Sequence, residues 1–233
     1  HRGLKMHYEC IGCGETFEIS KKLYTCPVCD SLLEIELDLE RIKDELDEKS
    51  LREDCPTTWK YRPFLPIEDD SKIVTLHEGG TPLYSCDRLA DEIGMDELYV
   101  KFEAGNPTGS FKDRGMTVGV TKALEYGAEH VTCASTGNTS SSLAAYSGKA
   151  GLNCVVLVPQ GNVALGKMAQ AAMHGARILA IDDNFDGALR MVRRLCNERD
   201  DIYLLNSVNP FRPQGQKTIG FEIADQLDFD SPD

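Results

Sequence analysis

The sequence predicts an α/β fold in which a parallel sheet carries helices on both faces, preceded by a small metal-binding module. From residue 97 onward, short apolar strands alternate with helical segments, which is typical of a parallel sheet. Polar segments follow the strands, and two Cys-x-x-Cys pairs near the start of the chain indicate the module. With 233 residues, 41% of them hydrophobic, the chain is long enough for one large domain or two small ones.

The first region, residues 1–37, is predicted to be a zinc ribbon. Two cysteine pairs are separated by twelve residues, the spacing of two knuckles whose four thiolates close a tetrahedron around zinc. These ligands are Cys10, Cys13, Cys26 and Cys29. Short strands are expected around residues 8–9, 16–19 and 32–37. Two disulfides or four free thiols are the alternatives, but so small a unit has too little core to fold well without metal.

Residues 38–74 are predicted to form a charged helix followed by a Pro- and aromatic-rich linker. The apolar residues Leu39, Ile42 and Leu46 recur at helical spacing, which indicates a short amphipathic helix. Trp59, the only tryptophan, lies in the linker and is interpreted as a packing residue.

The third region, residues 75–233, contains the predicted parallel sheet. Its strands are expected at 98–102, 131–134, 154–159, 177–181 and 202–206. Its helices are expected at 111–126, 138–150, 163–174, 184–197 and 214–227. Because ligands of such sheets bind beyond the carboxyl ends of the strands, the polar segments that follow the strands are predicted to share one rim.

Two of these polar segments carry candidate chemistry. Lys112 lies just inside a predicted helix start, after a loop that contains Pro107 and Gly109. Schiff-base chemistry needs a positioned amine that can lose its proton, whereas the alternative is a helix-surface lysine. In the second segment, Ser135–Ser142, seven of eight residues are Ser, Thr or Asn. One helix cap needs only one such residue, so a binding site for an anion is indicated.

Together these segments resemble the fold-type II pyridoxal-phosphate enzymes. Ser110-Phe-Lys-Asp-Arg114 is similar to their lysine motif, and Ser135-Thr-Gly-Asn138 is similar to their asparagine loop. Within that group the resemblance is to the threonine synthase family, over residues 75–227. The further segments that carry it are Glu78-Gly-Gly-Thr-Pro-Leu83, Lys101-Phe-Glu103 leading into Asn106, Asn206–Arg212 and Gly215-Gln-Lys-Thr218.

The resemblance implies a lyase that holds pyridoxal 5′-phosphate on Lys112 as a Schiff base, with Asn138 bonded to the ring hydroxyl. The implied reaction converts O-phospho-L-homoserine and water to L-threonine and phosphate. Five residues then bind the substrate phosphate: Thr136, Thr139, Asn206, Ser207 and Arg212. A solvated loop arginine is the alternative for Arg212, and structural ion pairs are the interpretation of Asp113 and Lys217.

That family binds the cofactor phosphate in a glycine-rich loop well downstream, and this sequence contains no such loop. We therefore expect an N-terminal part of a longer protein, and the activity of this part alone is left open. The alternatives are another enzyme of the group, such as cysteate synthase or threonine dehydratase, and a non-catalytic zinc-ribbon scaffold that binds a protein.

Composition restricts the partners. The net charge of −13 argues against nucleic acid or an anionic membrane as the main partner. No apolar stretch approaches the roughly 18 residues of a membrane span, and no secretory signal follows His1. Nine cysteines without an export signal indicate a reducing, cytoplasmic location. Cys133 and Cys154, in apolar runs, are predicted to be buried. A homodimer is a candidate assembly for this protein.

Overall fold

The N-terminal module is a three-stranded antiparallel sheet. The computed structural model describes residues 6–46, 56–160 and 165–230. The strands of the module are β1 (Met6–Cys10), β2 (Thr16–Glu18) and β3 (Leu33–Leu37), in the order β2-β1-β3. Alternate residues of β1 point into the core, because successive side chains of a strand lie on opposite faces. The three strands expected in this region are confirmed.

The segment after the module begins with α1 (Leu39–Glu45), where a side-chain oxygen of Asp38 accepts a hydrogen bond from the backbone N–H of Arg41 at 3.1 Å. Of its apolar stripe only Ile42 is fully buried, whereas Leu39 is 61% exposed. A 3₁₀ helix (Thr58–Phe64) follows, and another is Asp70–Lys72. The indole nitrogen of Trp59 donates to Thr117 Oγ1 at 2.9 Å, so Trp59 packs on the main domain as predicted.

The main domain contains a four-stranded parallel sheet with the order β8-β7-β6-β9. Its strands are β6 (His130–Ala134), β7 (Asn153–Pro159), β8 (Arg177–Ile181) and β9 (Ile202–Leu204). The intervening helices are α4 (Asn138–Ala150), α5 (Leu165–Met173) and α6 (Phe185–Glu198). Because connections between parallel strands are right-handed as a rule, this strand order places α4 and α5 on one face and α6, on the return from β8 to β9, on the other. The predicted fold class is therefore confirmed, and Cys133 and Cys154 are buried in its core.

One predicted strand belongs elsewhere. The segment 98–102 forms β5 (Tyr99–Lys101), which pairs antiparallel with β4 (Leu83–Ser85) in a separate two-stranded sheet. Helix α2 (Asp87–Ile93), which the sequence pattern did not indicate, connects them. Tyr99 and Val100 are 36% and 41% exposed, unlike residues of a strand covered on both faces. A short apolar run indicates a strand but cannot specify its partner.

The remaining helices position the carboxyl-end segments. Helix α3 (Lys112–Glu125) follows a 3₁₀ turn (Glu103–Gly105), and the predicted helix 214–227 is two helices, α7 (Phe211–Gln216) and α8 (Thr218–Gln226). Helices α3 and α7 approach closely because glycines face the contact. A Cβ on Gly115 would lie 2.9 Å from the Arg212 carbonyl oxygen, and one on Gly215 would overlap the Arg114 carbonyl oxygen.

The strand order defines where a ligand can bind. The chain runs outward from β6 to β8 and then returns to place β9 on the other side of β6. The carboxyl ends of β6 and β9 therefore flank a topological switch point, where sheets of this kind bind ligands. The segments 135–139 and 205–212 begin at these two ends. In the described residues, no helix combines the length and apolar character required to cross a membrane.

Candidate active site

Lys112 is the first residue of α3, as the sequence predicted. Its side chain is half-buried, and Nζ lies 4.1 Å from the centroid of the Phe111 ring. Burial lowers the pKa of Lys112, and the positive charge of Arg212 lowers it further. A lowered pKa increases the fraction of neutral amine, the form that attacks a carbonyl carbon.

The loop before Lys112 is held by Asp113. This buried carboxylate accepts hydrogen bonds from Thr108 N at 2.7 Å and Thr108 Oγ1 at 2.6 Å. It also accepts one from Ser142 Oγ at 2.5 Å, which connects the lysine loop to α4. The ion pairs predicted for Asp113 and Lys217 are not formed within the described residues. Lys217 Nζ instead donates to Gln214 Oε1 at 2.5 Å.

The asparagine loop leads into α4, which begins at Asn138. Asn138 is exposed, and Thr136 and Thr139 are half-buried. Counting the described residues alone, these three side chains have no hydrogen-bond partner. The hydroxyls of the next two serines donate hydrogen bonds to the backbone at the start of α4. Ser140 Oγ donates to Gly137 O at 2.6 Å and Ser141 Oγ donates to Asn138 O at 3.2 Å. The free polar groups are therefore those nearest the rim.

Asn206 has a different local role from the one the resemblance implied for it. Its Nδ2 donates to Ala134 O, and its Oδ1 accepts from Ala134 N, both at 2.9 Å. This side chain extends the pairing of β6 with β9 and fixes the start of the asparagine loop. One N–H of the Asn206 amide is left over, and the neighbouring Ser207 is exposed.

Arg212 is buried in α7, so the alternative of a solvated loop arginine is wrong. The residue is 3% exposed, and Nη1 donates to Leu205 O at 3.3 Å, while Nε has no partner in the described structure. Burial lowers the pKa of Arg212 to about 10, so the guanidinium stays charged at neutral pH. A buried charge without a counter-ion is costly, which indicates a place for an anion.

Arg114, two residues after Lys112, provides a contrast because its charge is neutralised. Arg114 Nε donates to Glu103 Oε2 at 2.7 Å, and Nη1 donates to Glu222 Oε1 at 2.6 Å. Glu222 also pairs with Lys101 at 2.8 Å. Arg114 Nη2 donates to Thr81 Oγ1 at 3.1 Å, which connects the segment 78–83 to this cluster. The arginine of the lysine motif is therefore structural.

The four cysteines of the N-terminal module meet at one point. Their Sγ atoms all lie within 4.8 Å of one another: Cys10, Cys13, Cys26 and Cys29. The Cys10–Cys29 and Cys13–Cys26 separations are 3.4 and 3.7 Å, whereas a disulfide requires about 2.05 Å. Sulfur atoms around a tetrahedral zinc, each about 2.3 Å from it, are about 3.8 Å apart. The geometry fits a metal better than disulfides.

A family profile described as "Pyridoxal-phosphate dependent enzyme" matches residues 74–233, which include the lysine and asparagine segments. The chain belongs to this family. Its parallel sheet and rim are those of a pyridoxal-phosphate enzyme, and pyridoxal phosphate is the cofactor of the family.

Curated relatives in the family are similar over nearly the whole chain. A threonine synthase of Methanosarcina acetivorans is 60% identical over 227 residues, which are 97% of this chain and 55% of the relative. A threonine synthase of Methanocaldococcus jannaschii is 58% identical over 228 residues, 98% of this chain and 56% of the relative. The chain thus spans about half the length of the curated relatives it matches.

Several solved structures share the fold. Maize serine racemase superposes with a TM-score of 0.57 at 22% identity, covering 64% of this chain and 45% of that one. A diaminopropionate ammonia lyase from Escherichia coli gives a TM-score of 0.59 at 20% identity, covering 67% and 46%. At these identities the likeness supports the fold alone.

Sequence reasoning missed a buried carboxylate in the segment that begins at Glu78. The Glu78 side chain accepts hydrogen bonds from Tyr146 OH at 2.6 Å, Leu76 N at 3.0 Å and Thr75 Oγ1 at 3.2 Å. Within the described ranges it has no cationic partner, and burial raises its pKa. A partner such as Tyr146, 68 residues away, leaves no local sequence signal.

Replacing Glu78 with glutamine is expected to stabilise the protein at pH 8 by on the order of 1 kcal/mol. A raised folded-state pKa means that wild-type stability is lost as pH rises through that pKa. The advantage of the variant should therefore shrink toward pH 5, in urea unfolding measured at both pH values.

Glu222→Gln is the matched control for this measurement. Burial opposes ionisation of Glu222, but hydrogen bonds from Arg114 lower its pKa overall, so this variant should be destabilised at pH 8. Equal destabilisation of the two variants at pH 8 would contradict the interpretation of Glu78 as a buried carboxylate whose charge destabilises the folded protein.

Proposed function

We propose that the full-length protein is a threonine synthase, which converts O-phospho-L-homoserine and water to L-threonine and phosphate. The observation that carries this proposal is Arg212, a buried guanidinium that lacks a carboxylate partner in the described structure. It lies at the rim that holds Lys112, close enough for its charge to lower the pKa of that amine. The names of the relatives at 60% and 58% identity support the same assignment.

Lys112 is proposed to hold pyridoxal phosphate through Nζ, and the Asn138 amide to hydrogen-bond the ring hydroxyl. The half-buried amine with a lowered pKa, together with an exposed asparagine whose side chain has no partner in the described structure, fits this cofactor. When bound, the cofactor supplies an electron sink for a carbanion at the substrate. When it is not attached to the cofactor, Lys112 Nζ would accept protons from the substrate carbons and return them.

The substrate phosphate is proposed to bind between the ends of β6 and β9. Arg212 would supply the charge, because a guanidinium can donate two parallel hydrogen bonds to phosphate oxygens. The remaining donors are hydroxyls and the leftover amide N–H: Thr136, Thr139, Ser207 and Asn206. With a net charge of −13, the protein offers a dianion little general attraction, so these local donors must provide the affinity.

The alternative enzymes differ in whether Arg212 would bind a substrate phosphate. A threonine dehydratase binds no substrate phosphate and would leave this buried guanidinium without an anion. A cysteate synthase would use phosphoserine, which is one carbon shorter. Incubation of the full-length protein with phosphohomoserine should release threonine and phosphate in equal amounts. Turnover of phosphoserine without turnover of phosphohomoserine would instead support a cysteate synthase.

We propose that the N-terminal module binds one structural zinc through Cys10, Cys13, Cys26 and Cys29. The sulfur separations support this, as do the backbone N–H groups of Gly12 and Val28, which donate to Cys10 Sγ and Cys26 Sγ at 3.4 Å. Four thiolate ligands leave no open position for a substrate, so the metal would have no catalytic role. Thiolate ligation needs reducing conditions, which fits a cytoplasmic location.

Cys10→Ser is expected to eliminate the bound zinc, about one equivalent per chain, and to unfold the module before the main domain. Elemental analysis of freshly purified protein measures the metal, and limited proteolysis followed by mass spectrometry locates the unfolded segment. Cys86→Ser is the control, because this half-buried cysteine lies outside the cluster and its loss should leave the zinc content unchanged. Wild-type protein without zinc, or with these cysteines in disulfides, would contradict the proposal.

A further inference from the structure

We propose that the N-terminal module positions Arg212. Tyr8 is the positioning residue that connects the module to the helix that carries Arg212. This inference rests on the proposed function, because it concerns the phosphate that Arg212 is proposed to bind. Tyr8 does not reach that phosphate; it would act through Phe211, the residue that precedes Arg212 on α7.

The contact between the module and α7 is aromatic and fully buried. The ring of Tyr8 packs edge-on against Phe211, with centroids 5.9 Å apart and an interplanar angle of 81°. Tyr126 of the main domain completes the group, with its ring 6.1 Å from Phe211 and its hydroxyl 2.9 Å from Tyr8 OH. Tyr126 OH also donates to Ile19 O of the module at 2.6 Å, so both aromatic partners of Phe211 contact the module.

Helix α7 lies between the module and α3. On the α3 side, Gly115 and Gly215 permit the close approach of the two helices. On the module side, Phe211 shares one apolar cluster with Tyr8 and Ile35, and Gln214 Nε2 donates to Ile35 O at 3.4 Å. Any displacement of the module therefore changes the surface against which α7 packs.

The position of Arg212 depends on this packing for two reasons. Helix α7 has six residues and no side-chain N-cap, so it is too short to be stable without tertiary contacts. The guanidinium has one hydrogen bond in the described structure, to Leu205 O, and no carboxylate to orient it. Its direction is therefore set by the backbone of α7 more than by its own partners.

The alternative is that Tyr8 contributes to stability only. The two roles differ in one measurable quantity, the affinity for phosphate in protein that is folded and carries its cofactor. A stability role changes the unfolding midpoint and the fraction of active protein. A positioning role also weakens phosphate binding in the molecules that remain folded.

The test uses the full-length enzyme with its cofactor bound. Tyr8→Leu is expected to raise both the KM for phosphohomoserine and the inhibition constant of inorganic phosphate by on the order of tenfold. The visible absorption of the bound cofactor should be retained. Tyr8→Phe keeps the ring against Phe211 and should restore wild-type values. Val192→Ala, a buried change in α6 away from α7, is the control for general destabilisation and should leave both constants unchanged.

The outcomes separate this inference from the proposed function. If Arg212→Ala raises the inhibition constant of phosphate but Tyr8→Leu does not, the positioning role is overturned and the phosphate site remains. If Arg212→Ala also has no effect, the phosphate site itself is wrong. If Tyr8→Leu gives no folded protein, Phe211→Leu removes the same ring contact from the α7 side and must raise both constants. Equal effects of Val192→Ala and Tyr8→Leu would also overturn the inference.

Discussion

Lys112→Ala in the full-length protein is expected to lower kcat by roughly 10³-fold or more, because it removes the proposed attachment point of the cofactor and the amine proposed to transfer protons. Lys112 is half-buried at the start of α3, and burial and the charge of Arg212 lower its pKa. Borohydride reduction of wild-type protein with pyridoxal phosphate, followed by peptide mapping, should place a pyridoxyl group on this lysine.

The control for this prediction is Lys149→Ala, which removes an exposed lysine near the end of α4. That variant should keep wild-type turnover and the same labelled peptide. A pyridoxyl group on a lysine other than Lys112 in wild-type protein would show that the attachment site is misassigned.

Arg212→Ala should lower kcat/KM for phosphohomoserine. The drop should correspond to a loss of roughly 2–5 kcal/mol of transition-state stabilisation, the loss expected for a charge-assisted contact in a desolvated site. The cofactor should remain bound, since the proposed cofactor contacts are Lys112 and Asn138. Steady-state kinetics with phosphohomoserine measures the effect, and the visible absorption of the cofactor verifies occupancy.

Two further variants calibrate this effect. Thr139→Val removes a neutral donor and should cost less, about 1–2 kcal/mol. Arg190→Ala removes an arginine of α6 whose side chain is 70% exposed, and it should leave the kinetics unchanged. If Arg212→Ala behaves like Arg190→Ala, Arg212 does not bind the substrate phosphate.

Local features of this chain were predictable because short segments encode them. Lys112 and Asn138 are helix starts in the structure, as loops rich in turn and cap residues predicted. The cysteine pairs also meet as their spacing predicted. Such features depend on neighbouring residues and knuckle turns, so the sequence pattern was sufficient to locate them.

Features that depend on distant partners could not be predicted in the same way. The segment 99–101 has strand character, but its pairing strand, 83–85, and the ion-pair partner of Lys101, Glu222, both lie far from it in the sequence. Phe211, the neighbour of the buried Arg212, packs against Tyr8 of the N-terminal module, more than 200 residues earlier in the chain. The amide of Asn206 binds the Ala134 backbone because β9 returns beside β6. No local pattern contains these partners.

The proposed use of phosphohomoserine by the full-length protein can be tested by comparing kcat/KM for three substrates in one preparation. Phosphohomoserine, phosphoserine and threonine are assayed with threonine, phosphate and ammonia measured as products. We expect phosphohomoserine to have the highest kcat/KM and to yield threonine and phosphate in equal amounts. Faster release of ammonia from threonine than of phosphate from phosphohomoserine would contradict this proposal and identify a dehydratase.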